Sequence, residues 1–175
     1  MNEAYVVIDM IKDFMNPDGA LYCGEEAEEI IGPIVAQLHV AKQTDKLVVF
    51  ACDNHEEDDV EFEQFPPHAI TKTAGAEVID MLGDFDGNRA DVSKTKFNAF
   101  AGTDLDEILT DTDVLTVVLA GVCTDICIKE TALGAVAAGY NVVINEDEVA
   151  SFDAKAHAKA LDELEAIDGI TVNRV

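Results

Sequence analysis

Cys127 occupies a position in the sequence where a cysteine can act as a nucleophile. Residues 114–119 are apolar and β-branched, which predicts a buried parallel strand. Thr124 or Asp125 is a good cap for the helix expected to follow, up to residue 138. Cys127 would then lie in the first turn of that helix, where free backbone N–H groups and the helix dipole stabilise a thiolate. The alternative is a structural cysteine packed as a small hydrophobic residue.

A thiol nucleophile also needs a proton acceptor, and Asp9 is the first candidate. It ends an apolar run, where burying an acid without a partner is unfavourable. Lys94 and Lys96 stand out because the chain has 11 Lys and Arg against 36 Asp and Glu. A lysine near Asp9 would keep that carboxylate anionic and contact the substrate. The alternatives are a loop or capping role for Asp9 and a solvated surface position for either lysine, above all for Lys96.

A second set of residues has the composition of a metal site. Asp53, His55, Glu61 and His68 offer nitrogen and carboxylate ligands from one loop, a set that suits zinc, manganese or iron. Asp53 and His55 are two residues apart in extended chain, so their side chains face the same way. The prolines in residues 65–67 stiffen the approach to His68. In so acidic a chain these residue types alone are not specific, and ordinary surface acids are the alternative.

The elements that must position these residues alternate along the chain between strands and helices. This alternation predicts an α/β fold with a parallel sheet covered by helices on both faces. The predicted strands are 5–8, 47–51, 91–93, 114–120, 140–144 and 170–172. The predicted helices are 25–43, 74–82, 105–109, 125–138 and 154–167.

Sheets of this kind bind ligands beyond the carboxyl ends of their strands. Asp9 follows the first predicted strand, Asp53 and His55 follow the second, Lys94 the third and Cys127 the fourth. We therefore expect four separate loops to bring these side chains to one edge of the sheet. The longest irregular stretch, residues 53–72, is one of those loops, and a loop of that length in a compact domain is usually functional.

Composition limits the class of protein. The chain has 175 residues, 49% of them hydrophobic, which predicts one domain over residues 1–175 with a proper core. No run approaches the roughly 20 apolar residues of a membrane span, and no signal peptide precedes the first strand, so we expect a cytoplasmic protein whose four cysteines are thiols. A net charge of −25 disfavours nucleic acids and anionic membranes as partners. We interpret the acidic residues as a solvated surface that keeps the protein in solution. A salt-rich cytoplasm and a preference for cationic ligands are the alternatives.

Taken together, these segments resemble the isochorismatase-like cysteine hydrolases, and within them the nicotinamidase (pyrazinamidase) group. Residues 6–14 look like the family's opening strand with its aspartate, 93–100 like its lysine segment, and 121–127 like its nucleophile segment. The Asp53-x-His55 pair and residues 65–68 look like the nicotinamidase metal loop. The resemblance implies a three-layer α/β/α fold with a mostly parallel, Rossmann-like sheet of about six strands.

The resemblance also implies roles for particular residues. Cys127 would attack the amide carbonyl carbon, Asp9 would shuttle protons, and Lys94, favoured over Lys96, would support the charge. The peptide bond between Val122 and Cys123 would be cis, and the N–H groups of Cys123 and Cys127 would form the oxyanion hole. The implied substrate contacts are Phe14, Phe65 and Val122.

The same resemblance implies one divalent transition metal, with zinc expected and manganese or iron as alternatives. The metal would bind the ring nitrogen of a pyridine carboxamide and orient it. The implied metal ligands are Asp53, His55, Glu61 and His68. Many nicotinamidases have a further histidine in this loop, whereas this chain has none between His55 and His68. Glu61 takes that place by similarity to a glutamate variant, and its rivals are Glu57, Asp58, Asp59 and Glu63.

The implied reaction is hydrolysis of nicotinamide to nicotinate and ammonia through a thioester on Cys127, a step of NAD salvage. Two alternatives stay open. One is a related hydrolase acting on another small amide, such as an N-carbamoyl compound or a hydroxamate, whose relatives generally lack the metal loop. The other is a catalytically silent binding protein on the same fold. Family members often form homo-oligomers, but no long exposed apolar stripe in the sequence decides the oligomeric state.

Overall fold

A computed structural model describes residues 2–175. It contains one six-stranded sheet in the order β3-β2-β1-β4-β5-β6, and every neighbouring pair of strands is parallel. The strands are β1 Glu3–Ile8, β2 Val48–Asp53, β3 Arg89–Lys94, β4 Thr116–Val122, β5 Asn141–Ala150 and β6 Ile170–Asn173. The prediction of an α/β fold with a mostly parallel sheet of about six strands is therefore confirmed.

Seven α-helices accompany this sheet in the described part of the chain. They are α1 Lys12–Met15, α2 Glu25–Glu28, α3 Ile31–Gln43, α4 Asp80–Gly83, α5 Leu105–Asp111, α6 Lys129–Ala138 and α7 Ala154–Glu165. Short 3₁₀ turns span Val60–Glu63 and Ala74–Ala76. Within residues 2–175, none of these helices has the length and apolar character needed to cross a membrane.

Two hydrophobic clusters hold the helices on opposite faces of the sheet. Alternate residues of β1 point to opposite faces. Ala4, Val6 and Ile8 belong to the cluster that includes residues of α5, α6 and α7, whereas Tyr5 and Val7 belong to the cluster that includes residues of α3 and α4. Because both faces are covered, β1 and β2 are buried along almost their whole length, as their apolar sequences predict.

Two predicted helices differ in the structure. The helix expected over 25–43 is divided into α2 and α3, and Pro33 lies in the first turn of α3, where its missing N–H cannot continue a helix from the preceding turn. The helix expected over 74–82 is replaced by a 3₁₀ turn, an extended stretch and α4. The extended stretch forms an antiparallel bridge between Val78 and Ile11, and Ile79 donates its N–H to the carbonyl of Met10. Tertiary pairing thus replaces local helix there.

Strand β5 extends well beyond its predicted end. It was expected to stop at residue 144 but continues to Ala150, with a register irregularity opposite Leu119 and Gly121 of β4. The acidic residues Glu146 to Glu148 concealed this part of the strand, because strands are poor in Asp and Glu. The extension carries the end of β5 to the edge where the candidate site lies.

Candidate active site

The carboxyl edge of the sheet brings the first predicted set of residues together. The ammonium Nζ of Lys94 lies 2.8 Å from Oδ2 of Asp9 and 3.6 Å from Sγ of Cys127. Carboxylate oxygens of Asp9 and Asp53 and the sulfur of Cys127 all lie within 4.8 Å of one another. All four residues are buried. Four distant segments therefore meet as the topology predicts.

Asp9 is held in an unusual backbone conformation that aims its carboxylate into this group. Its φ is 55°, in the left-handed region, and Oδ1 accepts the backbone N–H of Asp53 at 2.8 Å. Burial and the neighbouring Asp53 charge raise the pKa of Asp9 to about 6, although Lys94 opposes the shift. A carboxyl with a pKa close to neutrality is suited to accept and return a proton.

Cys127 does not lie in the α-helical first turn that the sequence predicts. The chain forms a π-helical turn over Thr124–Ile128, in which the N–H of Ile128 donates to the carbonyl of Cys123, and α6 begins only at Lys129. Neither predicted cap acts as one, because the side chain of Thr124 pairs with Nδ1 of His157 and Asp125 accepts a hydrogen bond from Ser151. His157 is consequently half-buried.

The expected stabilisation of a resting thiolate is also not found. Burial and the Asp9 charge raise the pKa of the Cys127 thiol well above its usual range, and Lys94 opposes them only partly. Cys127 is therefore a thiol in this environment. Its activation needs a base, and the adjacent Asp9 carboxylate is in a position to act as one.

The peptide bond between Val122 and Cys123 is cis, as the resemblance implies. Cys123 lines the cavity beside Cys127, and its sulfur lies 3.6 Å from Sγ of Cys23. The Val122 side chain is fully buried in the hydrophobic cluster on the α3 face rather than among the residues lining the cavity.

The second predicted set of residues forms a compact group next to the first. One ligand atom from each of Asp53, His55, Glu61 and His68 lies within 4.8 Å of the other three. Oδ2 of Asp53 is 3.7 Å from Nε2 of His55 and 3.8 Å from Nε2 of His68, and Nε2 of His68 is 3.7 Å from Oε1 of Glu61. These separations leave space for one ion among four ligand atoms.

The hydrogen bonds of the two histidines support this interpretation. Nδ1 of His55 donates to Asp59 at 3.0 Å, and Nδ1 of His68 donates to the carbonyl of Pro66 at 2.8 Å. Each ring therefore turns Nε2 into the group, and Nε2 of His55 is buried without a hydrogen-bond partner. A buried unpartnered nitrogen facing two carboxylates is the donor pattern that a divalent cation satisfies.

The structure also separates Glu61 from its rivals. Glu61 belongs to the four-residue group, whereas Glu57, Asp58 and Glu63 are exposed. Asp59 is close to the group, but its two carboxylate oxygens bind the Nδ1 side of His55 and the backbone N–H of Glu61.

Asp53 belongs to both groups. Oδ1 accepts a hydrogen bond from Lys94 at 2.6 Å, while Oδ2 faces the two histidines. Burial alone would raise the pKa of Asp53, but Lys94 and the histidines lower it well below its usual range. Asp53 is thus an anion shared by the two groups.

A largely apolar cavity opens onto the cysteine and the four-residue group. Asp9, Cys127, Glu61 and His68 contribute to its wall. Its apolar lining consists of Phe14, Leu21, Phe65, Phe97, Ile126 and Phe152. An aromatic ring could pack against such a surface while its polar substituents face the reactive groups.

Comparison with known proteins identifies the family. The isochorismatase domain model matches residues 3–173, which is almost the whole chain. The chain belongs to the isochorismatase family. The chain is therefore an isochorismatase-family hydrolase, and its six-stranded parallel sheet matches those of its structural neighbours.

Two curated relatives are similar to this chain over most of its length. An uncharacterised family protein named PncA from Bacillus subtilis is 38% identical over 92% of this chain and 93% of its own length. A probable inactive nicotinamidase from Arabidopsis thaliana is 32% identical over 92% of this chain and 87% of its own length.

Solved structures of the family are equally similar. The nicotinamidase/pyrazinamidase PncA from B. subtilis superposes with a TM-score of 0.93 and 37% identity, covering 99% of this chain and all of that one. The pyrazinamidase of Pyrococcus horikoshii, solved in complex with zinc, superposes with a TM-score of 0.90 and 31% identity over the full length of both chains.

Several cavity residues were not predicted from the sequence. Phe14 and Phe65 line the cavity as expected, but Phe97, Ile126 and Phe152 do so as well. Phe97 lies three residues after Lys94 in a segment already singled out. Phe152 follows the true end of β5, so the rule that ligands bind beyond strand ends would have selected it had the strand been predicted to its full length.

Proposed function

We propose that this protein is a metal-dependent cysteine amidohydrolase that converts nicotinamide to nicotinate and ammonia. The observation that carries the proposal is the meeting of Cys127, Asp9 and Lys94 within reach of one another, beside a four-ligand group and at the wall of an apolar cavity. A small aromatic amide needs both the reactive residues and the cavity beside them, because its amide group reacts while its ring is held.

The reaction would proceed through a thioester. Asp9 accepts the Cys127 proton as the sulfur attacks the amide carbonyl carbon, and the backbone N–H groups of Cys123 and Cys127 bind the oxygen that becomes negative. Asp9 returns the proton to the leaving nitrogen, and ammonia departs. A water molecule, deprotonated by Asp9, then attacks the thioester and the C–S bond breaks. Asp9 returns the proton to the sulfur, which restores the Cys127 thiol, and the acid product ionises to nicotinate. Before each proton transfer, the Lys94 ammonium favours the anionic form of Asp9 in its buried position.

Asp53, His55, Glu61 and His68 would hold the metal, and Phe14 and Phe65 would flank the pyridine ring. A bound divalent ion would supply a Lewis-acid contact for the ring nitrogen, which fixes the carboxamide relative to the sulfur. Zinc is the metal we propose, with manganese and iron as alternatives. The zinc complex of the P. horikoshii pyrazinamidase supports this choice.

The other predictions from the sequence are carried forward as parts of this proposal. They are a single domain, a cytoplasmic location, a role in NAD salvage and small-molecule rather than nucleic-acid or membrane partners. The oligomeric state stays open.

A second candidate is a catalytically silent member of the family, because one relative is named a probable inactive nicotinamidase. The complete set of Asp9, Lys94 and Cys127 in hydrogen-bonding surroundings favours an active enzyme. A third candidate, hydrolysis of an N-carbamoyl compound or a hydroxamate, is disfavoured by the four-ligand group.

Ammonia release from nicotinamide tests the proposal, measured with and without a chelator. We expect turnover that the chelator abolishes and one divalent ion restores. The variant Cys127→Ala should be folded and inactive, while Cys52→Ala, which removes a different thiol, should keep most of the activity. Retained turnover in Cys127→Ala, or activity indifferent to complete metal removal, would overturn the assignment.

A further inference from the structure

Asp59 makes two hydrogen bonds that join two of the candidate metal ligands. Its Oδ2 accepts the Nδ1 hydrogen of His55 at 3.0 Å, and its Oδ1 accepts the backbone N–H of Glu61 at 2.9 Å. The His55 side chain is fully buried and that of Asp59 is only 15% exposed, so water competes little for these bonds. One carboxylate therefore hydrogen-bonds two candidate metal ligands, His55 through its ring and Glu61 through its backbone.

The hydrogen bond between His55 and Asp59 fixes which ring nitrogen of His55 faces the other candidate metal ligands. A histidine that donates Nδ1–H to a carboxylate presents Nε2 as its free ligand atom. Nε2 of His55 is the buried nitrogen without a hydrogen-bond partner, and it faces Oδ2 of Asp53. His68 is arranged in the same way by the carbonyl of Pro66, but that acceptor is backbone and uncharged.

The bond to Glu61 fixes the segment that carries the third ligand. Asp59 is the N-cap of the 3₁₀ turn Val60–Glu63, and its side chain accepts one of the free N–H groups at the start of that turn. The same turn carries Phe62, whose ring lies edge-on to His55 and to His68, with centroids 5.5 Å apart in each case. Capping by Asp59 thus holds the turn that carries both Glu61 and Phe62. The Phe62 ring in turn packs against the candidate ligands His55 and His68.

We infer that Asp59 is a positioning residue for the metal centre, holding His55 in the tautomer that offers Nε2 and holding Glu61 at the correct depth. This inference rests on the metal-dependent function proposed above. It also explains the acid at position 59, which the sequence offers only as a rival ligand. Because both carboxylate oxygens are already engaged, Asp59 acts through the ligands rather than on the metal.

Asparagine at position 59 can keep only one of the two hydrogen bonds that Asp59 makes. The amide keeps one oxygen that can still cap the turn, and Asn is as good an N-cap as Asp. Its other atom is then an NH₂ group, which would face the Nδ1 hydrogen of His55, donor against donor. The variant must lose either the cap or the histidine bond, whereas Asp59→Ala loses both.

Zinc affinity of the purified protein, measured by competition with a chromophoric chelator, tests the inference without substrate. We expect Asp59→Asn to weaken zinc binding about 10–100-fold, the range found for lost partners of ligating histidines. Asp58→Asn makes the same charge change at an exposed neighbouring position and should bind zinc like the wild type. Equal affinities in Asp59→Asn and the wild type would overturn the inference, and so would an equal loss in Asp58→Asn.

Imidazole ¹⁵N NMR of the zinc-loaded wild type gives a second readout that needs no variant. We expect His55 to bind zinc through Nε2 and to show a slowly exchanging Nδ1 proton; zinc on Nδ1, or a freely exchanging proton there, would overturn the inference.

Failure of this inference about Asp59 can be distinguished from failure of the proposed function. A wild type that binds zinc but releases no ammonia refutes the nicotinamidase assignment and leaves the role of Asp59 intact.

Discussion

Nζ of Lys94 lies 2.6 Å from Oδ1 of Asp53. This buried ion pair connects the residues around Cys127 to the four-residue group of candidate metal ligands. The same ammonium is 2.8 Å from Oδ2 of Asp9, so one cation balances two carboxylates away from solvent. In a chain with a net charge of −25, such a cation has few substitutes. The two halves of the proposed mechanism therefore depend on one side chain.

Replacing Lys94 with Met should damage both stability and activity. The substitution leaves Asp9 and Asp53 buried without their cation, and breaking a buried pair in this way lowers the free energy of unfolding by about 3–5 kcal/mol. Ammonia release should fall by about 10²–10³-fold, as for other lost electrostatic groups in active sites. Urea unfolding and an ammonia assay measure the two effects.

Lys96→Met is the matched control, because Lys96 is exposed two residues along the same segment. It should change the free energy of unfolding by no more than about 0.5 kcal/mol and ammonia release by no more than about twofold. A Lys94→Met protein as active and stable as this control would contradict the assignment of Lys94.

Gly121 is required where β4 passes β1. Its φ is +114°, and a Cβ built there would lie 2.0 Å from the carbonyl oxygen of Ile8. Gly121→Ala should therefore lower the free energy of unfolding by about 2–4 kcal/mol, through backbone strain together with a collision that only a shift of β1 can relieve. Because Asp9 follows Ile8 directly, activity should fall as well.

Gly102→Ala separates the two contributions. Gly102 also has a positive φ, +76°, but no atom lies within 4 Å of a Cβ placed there. This control should show only the conformational cost of about 1–2 kcal/mol. If urea unfolding gave the same loss for both variants, the close approach of β1 and β4 would not be the reason for glycine at 121.

Much of the fold and of the site is predictable because the strands are strongly apolar and because parallel strands end at a common edge. That geometry places Asp9, Asp53, Lys94 and Cys127 together before any coordinates are available. The apolar run 114–119 and the β4 strand Thr116–Val122 illustrate how well such a run predicts a strand that is buried on both faces.

The parts that could not be predicted depend on tertiary contacts. The π-helical turn at Cys127 places Thr124 against His157, a partner 33 residues away that no local pattern indicates. The distal half of β5 is acidic, and Glu148 is buried there with a hydrogen bond from the Tyr5 hydroxyl of β1. Spacing alone could not separate the candidate ligand Glu61 from Asp59, because both are acids in one acidic loop.

Glu148 makes the stability of the fold dependent on pH. Burial raises the pKa of its carboxyl, with a smaller contribution from Asp147, against hydrogen bonds from Asn145, Tyr5 and Gln37 that lower it. The folded state therefore binds this proton more tightly than the unfolded state does. The resulting stabilisation is fully present below the ordinary pKa of glutamate and is lost as the pH rises through the folded pKa.

Glu148→Gln removes this titration and keeps an acceptor for the Tyr5 hydroxyl. We expect the variant to be more stable than the wild type at pH 8, with Tm raised by a few degrees for about 1 kcal/mol, and to differ little at pH 4. Thermal unfolding at both pH values measures the difference, and Glu146→Gln on the same strand is the control for the change in net charge. A gain at pH 4 that vanished at pH 8 would contradict the sign of this argument.

Asp13, in helix α1, connects that helix to the loop that carries the candidate ligand His68. Its Oδ2 accepts the backbone N–H of Ala69 at 2.8 Å, and Ala69, at φ 46°, directly follows the candidate ligand His68. Asp13→Ala would leave that N–H without its partner and allow the strained residue to relax, which moves His68. We expect the free energy of unfolding to fall by about 1–3 kcal/mol and zinc affinity to fall by about fivefold, equivalent to about 1 kcal/mol. Chelator competition and urea unfolding of Asp13→Ala measure both effects, with Asp18→Ala, at an exposed position of the turn after α1, as the control. An unchanged zinc affinity in a destabilised Asp13→Ala protein would mean that this hydrogen bond supports the fold and not the position of His68.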